Sequence, residues 1–571
     1  MASGEDNKTT LDPITPDAIP SLEISVSQPT TTQKWLLWIF YALVIYVQGL
    51  SSFTLSVYLN TAASLFNGNI QYTTISTVQA IIYGVANAAF AKIADVFGRP
   101  MILAGSIGSY ALGTIVLATA QNIGTLSAGM IFFSFGNTGI NFSTNIIIAD
   151  LIPAHWRCTV TNLTLMPFII NFGIGSKITG ALVPDQWRWG IGMFAILVPV
   201  TATPLAFYLF SIARRVSRSE ETPKLTLARL RIVVSSLDLP GLFLLLIGFG
   251  LLLLPLTIAD QAPRGYGTGY IIAMFVLGGV ALVAFPFVES WVSYPAVNLR
   301  RLRHVDSGID VIIATSISMA DALSTMVAFT PSYNWVRITF DYSVQHATYY
   351  LYAGSLAVVI FGIAGGLVAT ATRRYKWLTV FGGATRLMAL GLMYRYRGPE
   401  SSTAQIIIPQ ILQGLGGAVM TANLLVAAQI SVPHADVAMV TGIFLMAGGV
   451  ADAAGSAIAG AIQQQLLPAL REFLASTADD AAIQAIYEQG YLALDPDYPL
   501  GSPVRTGAIL AWEKNTRQIL ATAIAIAGLN FLLCFALKDR VLPETQNRVT
   551  DEDTGLPVPM IEADRAKTVD A

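Results

Sequence analysis

NTGINFSTNIIIADLIPAHWRCTVTNLTLMPFIINFGIGSKITGA, residues 137–181, consists of two apolar runs divided by a short charged hinge. Asn137, Asn141 and Asn145 recur every fourth residue, a spacing that puts all three on one face of a helix. The hinge IADLIPAHWR, Ile148–Arg157, carries Asp150 and Arg157. The second run closes on GSKITGA, Gly175–Ala181, and a near-copy, GSAIAGA, stands 280 positions later at Gly455–Ala461. A polar stripe on a buried helix, a charged hinge and a distant echo describe membrane helices in a duplicated chain.

Composition points the same way. Of 571 residues, 54% are hydrophobic and 12% charged, with a mean hydropathy of +0.59. Soluble domains carry about 25% charged residues, so the chain reads as a multi-span membrane protein. The net charge of −2 says little by itself; the placement of the charges says more. Cys158 and Cys534 form no disulfide framework, and His155, His304, His346 and His434 are scattered. No metal site and no cofactor are expected. No His, Cys or acidic cluster has catalytic spacing, which argues against an enzyme, and no nucleic-acid partner is expected.

Apolar runs of about 20 residues, long enough to cross a bilayer, fall at 35–59, 72–94, 101–120, 125–149, 159–183 and 190–212, then at 238–259 and 269–289. Six more follow at 307–331, 346–371, 377–397, 405–431, 437–463 and 517–537, which makes fourteen. The chain then divides into a disordered N-tail (1–34), a six-span half (35–212), a linker (213–237), an inserted pair (238–289), a second six-span half (307–537) and a C-tail (538–571). Lys92, Arg99, Arg157, the basic linker, Arg300, Arg301, Arg303, Arg373, Arg374 and Lys376 all fall on one side. By the positive-inside rule that side is the cytosol, and it holds both termini. The sequons at Asn7, Asn141 and Asn162 then lie in cytosol or membrane and should carry no glycan.

The echo belongs to a longer repeat. Ala91, Asp95 and Arg99 match Gly366, Thr370 and Arg374 at an offset of 275, and Gly136 and Gly139 match Gly414 and Gly417 at 278. This pairs spans 1–6 with spans 9–14.

Two six-helix halves in parallel repeat resemble the major facilitator transporters. AKIADVFGRP, Ala91–Pro100, resembles that superfamily's signature loop through Asp95, Gly98 and Arg99, and departs from it at Ala91, Val96 and Pro100. The resemblance implies a cytoplasmic latch of Asp95, Arg99, Asp150 and Arg157. Within the superfamily, IADL…WR, PFIIN (Pro167–Asn171), GSxIxG, RYKWL (Arg374–Leu378), GLMYRYR (Gly391–Arg397) and YPLGSPVR (Tyr498–Arg505) look like the fungal siderophore-iron transporters. That branch implies proton-coupled movement of a ferric siderophore or related metabolite. The chain departs from it at Ser51, where the branch carries an acid, at Lys177 for an asparagine, and at Asp452 for a small residue.

A ferric siderophore saturates its own iron, so its carrier needs neutral hydrogen-bonding groups and aromatic walls, not metal ligands. Gln79, Tyr83 and Asn87 form one stripe at helical spacing, and Asn137, Asn141 and Asn145 a second; Gln48, Asn171, Gln410 and Gln413 are further cavity candidates. The competing reading is interhelical hydrogen bonding, since an unsatisfied amide in lipid costs several kcal/mol. Tyr349 and Tyr352 read as cavity walls or as interfacial aromatics. Asp321, Arg386 and Asp452 lie near mid-span, where an isolated charge costs roughly 2.5–3.5 kcal/mol. They either pair or line an aqueous path. Asp321 or Asp452 is the candidate proton carrier, with Arg386 as partner of one of them. Lys177 either snorkels to the interface or draws in an anionic substrate.

The loop 464–515 is far longer than its fellows, with spacing for one amphipathic helix and a role as a partial lid. The expectation is therefore an all-α, fourteen-span major facilitator fold, acting as a proton-coupled transporter of a siderophore-like ferric hydroxamate. The alternative is a proton-antiport exporter of a secondary metabolite. Its partners are the small-molecule substrate, protons and the bilayer, and it is expected to work as a monomer. The plasma membrane is the expected location, with endosomal or vacuolar membranes as alternatives.

Overall fold

The structure, a computed structural model, describes residues 31–66, 71–97, 99–152, 154–217, 238–259, 262–292, 307–432, 437–494 and 498–542. The expected N-tail up to residue 30, the linker from 218 to 237 and the C-tail beyond 542 lie outside the described residues. What is described is all-α, apart from one isolated bridge between Arg374 and Val541.

The N-terminal helices are α1 (Thr31–Leu65), α2 (Gln71–Phe97), α3 (Arg99–Ala118), α4 (Ile123–Leu151), α5 (Ala154–Leu163), α6 (Pro167–Leu182), α7 (Trp187–Gly192) and α8 (Phe194–Ser217). A hairpin of α9 (Leu239–Ile258) and α10 (Gly269–Trp291) follows. The C-terminal helices are α11 (Ser307–Phe329), α12 (Ser332–Phe340), α13 (Val344–Thr372), α14 (Lys376–Tyr396), α15 (Thr403–Ile430), α16 (Val437–Gln463), α17 (Leu466–Leu474), α18 (Asp480–Gln489) and α19 (Pro503–Cys534).

Among the described residues, eleven helical stretches are long and apolar enough to cross a membrane. Four of them are broken columns: Thr159–Leu182, Trp187–Ser211, Gly308–Phe340 and Met439–Leu474 each run through two of these helices. Pro167 at the first turn of α6 and Pro331 just before α12 supply two of the breaks, since proline has no N–H to continue the ladder. Three further helices, α2 (27 residues), α4 (29) and α14 (21), also have the length to cross. They carry amides or arginine in place of part of their apolar surface.

The two copies of the echoed motif do the same packing job. Gly175 rests on the Phe53 ring of α1, and Gly455 on the Leu323 carbonyl and Met326 of α11, each on the first helix of its own run. A Cβ at either position would stand 2.6 or 2.9 Å from those atoms, so only glycine allows the approach.

The long loop differs from its expected form. It holds two helices, α17 and α18, and α19 begins at Pro503, well inside the stretch 464–515. Ser502 caps α19 by accepting from the Arg505 N–H, and Pro503 occupies the first turn, so the helix starts as soon as the YPLGSP turn ends. Ile483, Ile486, Tyr487, Tyr491 and Leu494 of this region are buried in the same apolar core as Tyr58 of α1.

At the opposite end of the bundle the segment after α19 doubles back. The Leu542 N–H donates to the Arg373 carbonyl at 2.9 Å, Arg374 pairs with Asp539 at 2.8 Å, and Arg540 pairs with the buried Asp310. Tyr375 sits beside this cluster, and burial together with the Asp310 charge pushes its phenol up to about 12.

Candidate functional site

Two seams join the N-terminal helices to the C-terminal ones. In the first, α2 crosses α16 at Gly84 and Gly449. A Cβ on Gly449 would lie 2.5 Å from the Gly84 nitrogen and 2.8 Å from the Tyr83 ring, so the backbones touch. That crossing sets Tyr83 beside α16, one helical turn from Asp452. Asp452 is half-buried and has no ion pair or hydrogen bond among the described residues.

In the second seam, α13 lies along α5 and α6 and is held at both ends. Toward its C-terminus, Gly362 leaves room for Asn162, Gly366 for the Thr159 backbone, and the Thr159 and Thr370 hydroxyls are 3.0 Å apart. Toward its N-terminus, the Tyr352 ring stacks on Phe53 at 3.9 Å and hydrogen-bonds Ser56, while Tyr349 meets Phe172 at 5.0 Å.

Between the seams, α4 presents its asparagines. From Gly136 to Ile148 every residue is buried except Asn137, Asn141 and Asn145, which are part exposed. Helical spacing thus opens one polar line onto accessible space inside an otherwise packed helix. Gln79 and Tyr83 of α2 are part exposed as well.

The other amides behave differently. Gln48 donates to the Asn137 side chain at 3.0 Å, Asn171 to the Tyr46 carbonyl at 3.4 Å, and Gln410 to the Tyr350 hydroxyl at 3.1 Å. Asn87 donates to the Tyr83 carbonyl at 2.6 Å, and Gln413 is buried. In this conformation Gln48, Asn171 and Gln410 tie helices together, and none of the five faces open space. The hydrogen-bonding reading of buried amides describes them better than the cavity reading.

The charges divide too. Arg386 of α14 donates to Asp321 of α11 at 2.6 Å, both buried, and Asn530 of α19 donates to the other Asp321 oxygen at 3.4 Å. Gly417 makes room for the guanidinium, where a Cβ would stand 2.3 Å from Nη2. Its repeat partner Gly139 stands in the same way against Ser106, which marks Arg386 as the C-terminal departure from the repeat. Asp321 therefore has its cation, and Asp452 does not share it. Asn530 was not singled out by sequence; its one signal is an amide inside the last apolar run.

A match to the Major Facilitator Superfamily model covers residues 37–456. The chain belongs to the major facilitator superfamily.

Relatives of this facilitator include the siderophore transporter fer7 of Mycosarcoma maydis, 31% identical over 508 residues, covering 84% of this chain and 76% of that one. MFS siderochrome iron transporter C of Aspergillus fumigatus is 30% identical, covering 88% and 82%. The low affinity heme transporter str3 of Schizosaccharomyces pombe is 29% identical, covering 89% and 82%. Among solved structures, the proton:xylose symporter XylE bound to 6-bromo-6-deoxy-D-glucose superposes with a TM-score of 0.51 at 11% identity, covering 90% of this chain and 98% of that one. An auto inhibited POT family peptide transporter gives 0.51 at 16%, covering 88% and 98%. At these identities the structures speak for the fold alone.

In this facilitator the side chains of Asp95, Arg99 and Asp150 lie outside the described residues. Arg157, the fourth residue of the expected latch, is buried and donates from Nε to the Ile152 carbonyl at 3.0 Å. Lys177 is exposed on the face of α6 that also exposes Ile170 and Ile174, an apolar surface along which a lysine stem snorkels. Arg505, from the YPLGSPVR stretch, is wholly buried. It donates to the carbonyls of Arg337, Ile338 and Tyr498 and pairs with Asp341 at 3.1 Å, pinning the long loop to the end of α12.

Proposed function

We propose that this facilitator is a proton-coupled carrier of a siderophore-like ferric chelate, working by alternating access between two six-helix halves of a fourteen-span bundle. The observation that carries the reading is the line of Asn137, Asn141 and Asn145, part exposed on a stretch of α4, Gly136 to Ile148, whose other residues are all buried. A neutral amide line suits a ligand whose metal is already saturated and whose periphery is amide and hydroxyl. The siderophore transporters among its relatives support the substrate class.

In this reading α1–α8 and α11–α19 are the two rocking bodies, and α9–α10 are the inserted pair. Both termini lie in the cytosol of a plasma-membrane protein acting as a monomer. The Phe53–Tyr352 stack closes the outer end of the second seam, and the Gly362–Asn162 and Gly366–Thr159 contacts close the cytosolic end. Asp452 carries the proton, because it stands at a seam between the two bodies with no cation paired to it among the described residues, whereas Asp321 is neutralised inside one body by Arg386. Asp95, Arg99, Asp150 and Arg157 form the cytoplasmic latch.

Uptake of a ⁵⁵Fe-labelled ferric hydroxamate into cells lacking their own siderophore and haem carriers tests the function. Accumulation that collapses with a protonophore supports it. Absence of accumulation, with faster loss of preloaded chelate, would favour the exporter instead.

A further inference from the structure

The two sides of the bundle are finished differently. Along α2, Ile81 and Val85 are buried beneath Leu245 of α9, so the hairpin α9–α10 covers the lipid-facing edge of the first seam. The repeat carries these positions, at the offset of 275, to Leu356 and Ile360 of α13. There no helix of the described chain lies over them. Val85 is 6% exposed and its counterpart Ile360 49%.

The uncovered edge is hollow. Ala353 and Ala357 stand where α2 has Val78 and Ile82, and the lost bulk opens a cavity of about 620 Å³ between α6, α13 and α15. Phe361, where α2 has Ala86, lines its deeper end. Phe172, Tyr349 and Phe361 give flat aromatic surfaces, and Ile360 and Ile411 give an aliphatic edge toward lipid. The lining surface is apolar almost throughout, and the polar side chains at its rim, where α13 and α15 begin, are engaged with one another. The Tyr342 and Thr403 hydroxyls are 3.3 Å apart, His346 contacts Ser343, and the Tyr349 hydroxyl accepts from Gln345.

We infer that this groove is a binding site for a membrane sterol, seated with its hydroxyl at the Tyr342–His346–Thr403 collar and its rings against the aromatic wall. Depth argues for a lipid over a partner helix. Along α13 the lining runs from His346 to Phe361, about 22 Å at 1.5 Å per residue, short of a hydrocarbon core about 30 Å thick. A partner helix would use the full thickness. Charge argues for a sterol over a phospholipid. Among the described lining residues there is no lysine or arginine to meet a phosphate, and a single hydroxyl needs only one donor or acceptor, which a Tyr342, Thr403 or His346 side chain can supply.

The full-length protein in nanodiscs, doped with a photoreactive, alkyne-bearing sterol, tests this. Labelled peptides should map to residues 342–361 or 403–411. Ala357→Trp, which fills the hollow, should cut that labelling at least fivefold, and Val283→Trp on the exposed face of α10 should leave it unchanged. If Ala357→Trp does not fold, Ala353→Leu adds bulk to the same hollow from a part-exposed position and should have the same effect. Three results would overturn the assignment: labelling indifferent to both filling variants, a photoreactive phosphatidylcholine labelling the groove as strongly as the sterol, or crosslinks from Ile411→Cys to another polypeptide.

Discussion

Gly449 of α16 rests on Gly84 of α2 backbone to backbone, with no room for a methyl group between them. Gly449→Ala must push the helices apart, because the nearest atoms are backbone and cannot rotate aside. Overpacking of this kind costs about 1–3 kcal/mol. The variant should melt several degrees lower in detergent and transport at most a tenth as fast. Gly448→Ala, one residue away with open space at its Cβ position, should behave as wild type in both assays.

The pair of Asp321 and Arg386 predicts an asymmetric double-mutant result. Removing Arg386 alone leaves a buried carboxylate without its cation, a loss of about 3–5 kcal/mol, whereas replacing both partners by apolar residues is often near neutral. Arg386→Met should therefore reach the membrane poorly and melt early. Asp321→Leu combined with Arg386→Met should recover most of the stability. A double variant as unstable as the single one would mean that the pair does more than neutralise itself.

Much of this was legible in the sequence, for identifiable reasons. The echo of GSKITGA in GSAIAGA follows from packing, since Gly175 and Gly455 must both admit a neighbouring helix, so the constraint left the same letters twice. The asparagine line was legible because helical spacing is arithmetic. What could not be read was which amide meets which neighbour. Asn171 and Asn141 have the same side chain, yet one donates across to Tyr46 and the other faces open space, a difference set by the helix opposite. Asn530 was missed for the same reason: its partner Asp321 is 209 residues away. The breaks in the columns were half legible, at Pro167 and Pro331. The second helix of the long loop was not separated in the sequence because α17 starts at Leu466, directly after α16 ends at Gln463, with no proline or glycine between them to mark the break.

Asp452→Asn separates proton coupling from binding. If Asp452 carries the proton, the asparagine variant should lose at least tenfold in pH-driven accumulation. It should retain exchange of labelled for unlabelled chelate across proteoliposomes, a process with no net proton movement. Asp452→Glu should restore part of the accumulation. Unchanged accumulation in Asp452→Asn would remove Asp452 from the proton path.

The Thr159 and Thr370 hydroxyls, 3.0 Å apart, offer a lock. With Cys158 and Cys534 replaced by serine and alanine, Thr159→Cys with Thr370→Cys should form a disulfide under mild oxidant, since the bridged Cβ atoms need to be about 3.8 Å apart. If this end of the seam must open in each cycle, oxidation should abolish transport and reductant should restore it. The single variants should be insensitive to both. Transport continuing at full rate after complete crosslinking would show that α5 and α13 do not separate during the cycle.

Asn141 is the cleanest probe of the cavity. Asn137 also receives the Gln48 amide, and Asn145 donates to the Asn141 carbonyl, so both have structural duties, but the Asn141 side chain makes no bond among the described residues. Loss of one neutral hydrogen bond to a ligand is worth about 0.5–1.5 kcal/mol, a change of roughly 2- to 13-fold. Asn141→Ala should raise the KM for the ferric chelate within that range and leave the melting temperature within about one degree. Asn137→Ala should do both, raising KM and lowering the melting temperature, because it also strands Gln48. If Asn141→Ala leaves KM unchanged for every chelate that the cells take up, the asparagine line does not touch substrate, and its exposure would belong to a water-filled passage instead.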